Sequence, residues 1–158
     1  MKFYIAYGSN LSHAQMRERC PDAVPYGAGV LKDYELVFKV HADIVPHKGW
    51  EVPIGVWTIS DKDEEFLDYY EGYPGYYIKK NVDVTVRSFK TGELRTKTGM
   101  VYMMAADKAL TTPDRYYFDG ICEGYHDFNL DIIPLLEAFE KTHYAHYERM
   151  YNERWNVK

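Results

Sequence analysis

The order of the predicted strands and helices is the feature that most constrains the fold of this chain. Runs of apolar or alternating residues typical of β-strands adjoin one another, with only a few helical segments between them. These runs cover about residues 2–7, 30–40, 53–59, 76–86 and 99–105. The regular strand–helix–strand alternation of a parallel sheet is missing. The order therefore favours an α+β fold with a largely antiparallel sheet, which could close into a small barrel.

Three helices are expected around this sheet. The first begins near Ser12 and ends at Pro21. The second is opened by a capping signal formed by Ser60 and Asp63 and is stopped by Gly72. The third is predicted over about residues 131–151 from an apolar stripe, which consists of Ile132, Leu135, Leu136, Phe139, Tyr147 and Met150.

Two segments are expected to lack regular structure. Residues 41–51 contain Gly and Pro between two predicted strands and are interpreted as a long loop, which is often functional. Residues 111–128 are rich in Pro, Gly and Tyr and show little periodicity. A shorter turn is predicted at Thr91 and Gly92, between the last two strands.

Length and charge limit the classes of protein to which the chain can belong. Its 158 residues fit one domain of ordinary size, so residues 1–158 are interpreted as a single domain. Nineteen Lys and Arg against 24 Asp and Glu argue against a nucleic-acid-binding protein. No apolar run is long enough for a signal peptide or a membrane span, and the two cysteines lack metal or redox spacing. A cytoplasmic protein with reduced thiols and no membrane partner is therefore expected.

The stretch Tyr7–Asn10 ends the first strand abruptly. Its Gly, Ser and Asn residues turn and form hydrogen bonds rather than pack, and they lead into a predicted helix. Backbone N–H groups at a helix start have no partner within the helix, so they form a natural seat for a carboxylate or phosphate. The alternative is an ordinary N-cap, in which Asn10 or Ser12 satisfies these donors.

Glu71 is the candidate acid or base. It lies at the predicted C-terminal end of its helix, where the helix dipole disfavours negative charge, and several tyrosines surround it in the sequence. Both effects should raise its pKa, and a carboxyl group with a raised pKa can take and return a proton near neutral pH. The alternative is a solvated glutamate paired with Lys79 or Lys80.

Other catalytic groups have less support in the sequence. Tyr116 or Tyr117 could project a hydroxyl into a pocket, although core packing explains both residues equally well. Ser9 lacks the Gly-x-Ser-x-Gly context of a nucleophile, and neither cysteine has a context that would activate it. If the chain is an enzyme, its active group is therefore expected to be a single acid.

The histidines are interpreted as surface residues. Glu140, His143 and His146 share roughly one face of the last helix and superficially resemble metal ligands, but no second cluster accompanies them. His41 and His47 lie in the predicted loop and are expected to be solvated. No metal and no cofactor are therefore expected.

Several motifs together resemble the gamma-glutamylcyclotransferase-like family, which includes gamma-glutamylamine cyclotransferases and the AIG2-like, avirulence-induced proteins of plants. They are "YGSNL" at 7–11, "LDYYEGYPGYY" at 67–77, the Pro-x-x-x-Tyr pattern from Pro113 to Tyr117, and "HADIVPHKGWEVPIGVW" at 41–57. The combination of "YGSNL" with a downstream "EG" is specific, whereas either alone is weak. The resemblance extends to about residue 124 and implies a small mixed barrel flanked by helices.

The resemblance also implies the site residues and the reaction. Glu71 would be the acid/base, and the substrate-binding residues would be Tyr7, Gly8, Ser9, Asn10, Leu11 and Tyr117. The implied activity is that of a cofactor-independent transferase or lyase acting on a small γ-glutamyl molecule. The substrate's own α-amine attacks its γ-carbonyl and releases 5-oxoproline and a free amine. The alternative function is a non-catalytic binding or regulatory module on the same scaffold.

One departure from the family pattern bears on substrate choice. Asp43 stands where the pattern usually has Asn. An additional carboxylate near the mouth of a pocket would repel acidic leaving groups. The sequence therefore mildly favours an amine or a neutral amino acid as the leaving group.

Overall fold

Five strands form a closed barrel in the computed structural model, which describes residues 1–155. Neighbouring strands follow the order β1-β3-β2-β4-β5 around the barrel. All pairs are antiparallel except β5 with β1, where Tyr4 pairs with Met100 in parallel and closes the barrel. The strands are β1 (Lys2–Ala6), β2 (Val24–Lys39), β3 (His41–Ile59), β4 (Tyr77–Ser88) and β5 (Leu94–Met104). The expected α+β fold with a mixed barrel is confirmed.

The expected loop at residues 41–51 is wrong, because these residues belong to β3. Strands β2 and β3 form one long hairpin whose pairing continues to Lys39 opposite His41. Val40 alone makes the turn, with a φ of 70°. Burial of Ala42 and Ile44, together with the hydrogen bonds to β2, outweighs the local Gly and Pro content.

Two helices precede β2 and β4, as the sequence indicates. Helix α1 (His13–Arg19) begins at Ser12, whose hydroxyl accepts a hydrogen bond from the Gln15 backbone. Helix α2 (Asp61–Glu71) begins with the predicted capping box of Ser60 and Asp63. It ends at Gly72, which adopts a left-handed conformation with a φ of 65° that a glycine accepts without strain.

The segment at residues 111–128, expected to be irregular, contains helix α3 (Arg115–Asp127). Asp114 caps it by accepting a hydrogen bond from the Tyr117 backbone at 2.8 Å. Tyr and Gly are weak helix formers, so sequence periodicity gives little signal here. Tertiary packing stabilises the helix instead, because Ile121 and Tyr125 are fully buried.

Helix α4 (Ile133–Trp155) confirms a long C-terminal helix close to the predicted 131–151, although the predicted apolar stripe is only partly correct. Leu135 is buried, and the other buried positions of the helix are Ala138 and Thr142. Leu136, Tyr147 and Met150 are exposed instead. The helix therefore packs on the barrel through its first half, and its second half shows aromatic side chains to solvent.

The barrel interior and the helices share one apolar core, which includes Ile5, Ile54, Val56, Ile59, Val86 and Val101. Cys20 is buried in this core, whereas Cys122 is only partly buried, and the two thiols are not joined. Within residues 1–155, no helix combines the length and apolar character that crossing a bilayer requires.

We expect Gly124→Ala to lower the free energy of unfolding by about 1–3 kcal/mol, because an added methyl group overpacks the contact between α3 and the chain after β1. A Cβ at Gly124 would lie 2.4 Å from the Leu11 Cβ and 2.7 Å from the Ser12 nitrogen. Urea unfolding of the variant and the wild type measures this difference.

The matched control is Gly120→Ala, one helical turn earlier. A Cβ there would meet only the end of the Gln15 side chain, at 2.6 Å from its Nε2, and this flexible side chain can move. Alanine is also the better helix former, so we expect unchanged or higher stability for this variant. Equal losses for the two variants would contradict the assigned packing.

Candidate active site

A cavity of about 370 Å³ opens at the end of the barrel where β1 and β5 finish and β4 begins. The turn after β1, the β2–β3 turn, the end of α2 and the start of α3 complete its wall. Eight of the 16 tyrosines of the chain line it, so the high tyrosine content reflects a semi-polar pocket. They are Tyr4, Tyr7, Tyr69, Tyr70, Tyr76, Tyr77, Tyr102 and Tyr117.

Residues Gly8–Asn10, here called the cradle, form one side of this cavity. Ser9 and Asn10 begin a short 3-10 helix, whose hydrogen bonds start with Leu11 N donating to Gly8 O at 3.0 Å. The backbone N–H groups of Gly8, Ser9 and Asn10 donate to no group within residues 1–155. The cradle therefore offers three free donors next to the cavity, as the anion interpretation of this turn requires.

The cradle is held by its neighbours rather than by an N-cap of its own. Trp57 donates from Nε1 to the Asn10 carbonyl oxygen at 3.0 Å. Leu11, grouped by sequence with the substrate-binding residues, does not line the cavity, and its side chain is fully buried in the core. The capping alternative is correct for Ser12 and wrong for Asn10, since only Ser12 caps α1.

The Asn10 side chain joins the cradle to Glu71. Its amide nitrogen donates to Glu71 Oε1 at 2.9 Å and lies 2.8 Å from the Tyr4 hydroxyl. Its amide oxygen accepts a hydrogen bond from Arg19. Residues from β1, α1, α2 and the cradle thus meet around one amide group.

Loss of hydration in the cavity raises the pKa of the Glu71 carboxyl to about 7. The Arg19 charge and the hydrogen bond from Asn10 act in the opposite direction on this pKa. The increase expected from the sequence is confirmed, with burial as its largest cause. The ion-pair alternative is wrong, because Lys79 pairs with Glu64 at 2.8 Å and Asp68 at 2.9 Å, and Lys80 contacts the Tyr34 hydroxyl.

Fixed, neutral tyrosines form the wall beside the cradle, where a Cβ on Gly8 would lie 3.5 Å from Tyr117 Oη. Tyr117 Oη accepts a hydrogen bond from Ala42 N at 2.9 Å, and Tyr77 Oη donates to Ala42 O at 2.7 Å. Tyr7 Oη donates to the Tyr102 carbonyl oxygen at 2.7 Å. Burial raises the pKa of the Tyr7, Tyr77 and Tyr117 hydroxyls, so they stay protonated at neutral pH. Tyr116, the other sequence candidate, points to solvent with 90% exposure.

Sequence reasoning missed Tyr4, Arg19 and Tyr102 as neighbours of the cavity. Nothing in the sequence next to these residues indicates a place at the cavity, because each reaches it only when the barrel closes. His41 is exposed, as expected, but it also lines the cavity mouth, where its Nδ1 lies 2.9 Å from the Tyr76 hydroxyl. Burial lowers the pKa of His41, so it is neutral near pH 7.

The expectation that Asp43 places an additional negative charge near the mouth is wrong. Asp43 is 2% exposed, does not line the cavity, and forms an ion pair with Lys39 at 2.8 Å. Its other carboxylate oxygen accepts a hydrogen bond from the Met104 backbone at 2.9 Å. The predicted preference for a non-acidic leaving group therefore loses its basis.

The histidines of α4 lie away from the cavity. His143 stacks on Phe139, and His146 Nδ1 lies 3.0 Å from the Thr112 backbone nitrogen. His47 contacts Glu35 at 2.8 Å instead of being solvated alone. Among the described residues, no group of three or more His, Cys, Asp or Glu side chains is arranged to hold a metal ion.

Comparison with known proteins assigns the barrel to a family. A family model described as "Gamma-glutamyl cyclotransferase, AIG2-like" matches residues 4–119, whereas no curated protein matches the chain by sequence. A solved structure named "Gamma-glutamyl cyclotransferase" is 28% identical, with 89% of this chain and 85% of that chain covered and a TM-score of 0.73.

Two further solved structures are similar to the chain. The crystal structure of an uncharacterized protein from Homo sapiens shows the same 28% identity, coverage of 89% and 85%, and TM-score of 0.73. An AIG2-like protein from Mus musculus is 19% identical, with 74% of this chain and 82% of that chain covered and a TM-score of 0.57. At this identity the mouse protein supports the fold alone.

We expect Glu71→Gln to be more stable than the wild type at pH 8, by on the order of 2 kcal/mol. The pKa of Glu71 in the folded protein, about 7, is raised above the ordinary glutamate value of 4.5. The stability associated with Glu71 is therefore fully present below about pH 4.5 and is lost as the pH rises through about 7. Urea unfolding at pH 5 and pH 8 measures the change.

Glu65→Gln is the control for this measurement, because Glu65 is an exposed residue of the same helix. Its effect on the free energy of unfolding should be small and similar at both pH values. If Glu71→Gln also had the same effect at pH 5 and pH 8, the raised pKa would be wrong.

Proposed function

The chain belongs to the gamma-glutamyl cyclotransferase, AIG2-like family, and from this premise we propose that it cleaves a γ-glutamyl amino acid or γ-glutamyl amine by cyclisation. The products are 5-oxoproline and the free amine. The observation that carries the proposal is the 2.9 Å hydrogen bond between Asn10 and Glu71, which places one carboxyl group beside the cradle. A single small molecule can thus contact both.

The proposed binding mode uses the free donors of the cradle. The α-carboxylate of the substrate accepts hydrogen bonds from the backbone N–H groups of Gly8, Ser9 and Asn10. The γ-glutamyl chain lies along the wall formed by Tyr7 and Tyr117. This arrangement folds the substrate so that its α-nitrogen approaches its own γ-carbonyl, and orientation of this kind accelerates intramolecular reactions strongly.

Glu71 is the proposed proton carrier in this reaction. Its carboxylate accepts a proton from the α-ammonium group, and the resulting amine attacks the γ-carbonyl carbon to form a tetrahedral intermediate. Glu71 gives this first proton to the departing nitrogen as the C–N bond breaks. The carboxylate so restored accepts the second proton from the attacking nitrogen and passes it to the released amine. Over the whole reaction the first nitrogen loses two protons and the departing amine gains two, so no net proton is consumed or released.

The pKa of Glu71, about 7, suits this exchange, because the group is readily available in both protonation states near neutral pH. The neutral tyrosine wall supports the same role. It offers no competing base, and it withdraws the reacting groups from water. No protein nucleophile is needed, since the substrate supplies its own.

We expect Glu71→Gln to abolish 5-oxoproline release from a panel of γ-glutamyl amino acids and amines. The amide keeps the shape of the side chain but cannot accept the proton, and loss of a general base typically reduces the rate by about 10²–10⁴-fold. Chromatographic detection of 5-oxoproline measures turnover, and the increase in melting temperature with substrate measures binding. Binding should change little.

Glu65→Gln should retain the activity of the wild type in the same assay, because this side chain is exposed and does not line the cavity. Turnover by Glu71→Gln at the rate of the wild type would remove Glu71 from the mechanism. Binding of γ-glutamyl compounds by the wild type without any product would instead support a binding or regulatory module.

The pH dependence of kcat/KM provides a further test. We expect kcat/KM to rise as the pH increases through about 7 and then to level off, because Glu71 must be ionised to accept the first proton. Initial rates between pH 5.5 and pH 8.5 measure the profile. A profile that is flat over this range would contradict the assigned role of Glu71.

A further inference from the structure

The guanidinium of Arg19 contacts both polar side chains of the cradle. Arg19 is the last residue of α1, and its Nη1 donates to Asn10 Oδ1 and lies 3.4 Å from Ser9 Oγ. The centre of the guanidinium lies 3.7 Å from the centroid of the Tyr70 ring. Arg19 is thus held between the cradle side chains and Tyr70 near the end of α2.

The Arg19 charge has no acidic partner. No carboxylate oxygen of the described residues lies within 4.0 Å of its nitrogens. Lys39 pairs with Asp43, and Lys79 pairs with Glu64 and Asp68. Lys97 is partly buried and also lacks a carboxylate within 4.0 Å, but it lies over the Phe3 and Tyr26 rings rather than at the cradle. Arg19 is only partly exposed, so solvent screens its charge less than that of a surface residue.

A second cation lies at the cavity mouth but in a different place. The Lys108 ammonium is 4.0 Å from the Tyr76 ring centroid, and Lys108 is exposed. Water and salt screen an exposed charge of this kind. Of the two cations, only Arg19 contacts the cradle, so it is the one that can favour an anion there.

Resting on the proposed function, we propose that Arg19 is a positioning residue that makes the site selective for substrates with a free α-carboxylate. Its guanidinium fixes the side chains of Ser9 and Asn10, and its positive charge, which no carboxylate contacts, acts on an anion held by the backbone donors of the cradle. The site is partly shielded from water, where charges interact more strongly than in bulk water. Glu71 interacts with this charge at longer range, with Asn10 between them, so a substrate carboxylate adds a second favourable interaction.

The test compares a γ-glutamyl amine with the same molecule in which the α-carboxylate is converted to a carboxamide. Arg19→Gln should reduce the preference for the carboxylate substrate, measured as the ratio of kcat/KM values, by about tenfold or more. Because the Arg19 charge also lowers the pKa of Glu71, its removal should reduce kcat for both substrates alike, whereas the selective loss should be in KM for the carboxylate substrate. Arg19→Lys keeps the charge and should restore most of the preference.

Arg17→Gln is the matched control, because Arg17 lies on the same helix, is exposed, and carries the same charge. Lys108→Gln removes a charge at the mouth without altering the cradle. Both variants should keep the carboxylate preference of the wild type. If Arg19→Gln weakened turnover of the carboxylate and carboxamide substrates equally, its role would be structural and the inference would be overturned.

A second measurement does not depend on turnover. The increase in melting temperature with 5-oxoproline is compared with that for its primary amide, for the wild type and for Arg19→Gln. The wild type should be stabilised more by 5-oxoproline, and the variant should lose this difference. This result together with no turnover by the wild type would reject the proposed function while retaining the role of Arg19. Equal stabilisation of the wild type by both compounds would overturn that role.

Discussion

The hydrogen bond from the Asn10 amide to the Glu71 carboxyl is the contact on which the rest of the site depends. Asn10 follows β1 and Glu71 ends α2, so the 2.9 Å contact bridges 61 residues of sequence. Because β1 and β3 are antiparallel, β3 ends beside Lys2 at the start of β1. The 11 residues of α2 then carry the chain back to the end of the barrel where β1 finishes, which brings Glu71 to Asn10. The barrel therefore brings one carboxyl group and the residues of the cradle to the wall of the same cavity.

Two opposing effects set the charge of this carboxyl group. Removal from water raises the pKa of Glu71, whereas the Arg19 charge and the Asn10 hydrogen bond lower it, and the balance lies at about 7. Burial without these two partners would keep the group protonated, and a salt bridge like that of Asp43 with Lys39 would keep it ionised. Arg19 interacts through Asn10 rather than directly, so the group can be either charged or neutral.

The sequence predicts the parts of the site that are local in the chain. The turn at Gly8–Asn10 and the helix end at Glu71 each have a clear signature, because glycine, caps and strand ends act over a few residues.

The burial of a side chain has no such local signature, so the sequence could not indicate that Asp43 is buried and paired with Lys39. Helix α3 and the continuation of β3 were missed for a related reason, since both are stabilised by tertiary contacts that outweigh local propensity. Arg19 was missed because its role depends on the absence of an acidic partner in three dimensions.

The nature of the proposed reaction explains why so few charged groups are sufficient. Both reacting groups belong to one molecule, so the protein does not have to activate a nucleophile or bring two substrates together; it has to bend one chain and move protons. An anion held at the cradle fixes one end of that chain, and the 2.9 Å contact through Asn10 fixes the distance from this end to the proton carrier.

The remaining wall can then be neutral. Tyrosine suits it, because its ring excludes water while its buried hydroxyl forms hydrogen bonds to backbone groups, as in Tyr7 and Tyr77. A wall with further charges would compete for the substrate's ammonium or carboxylate group. Under the proposed reaction, the abundance of tyrosine and the small number of charged side chains at the cavity are therefore two consequences of the same chemical requirement.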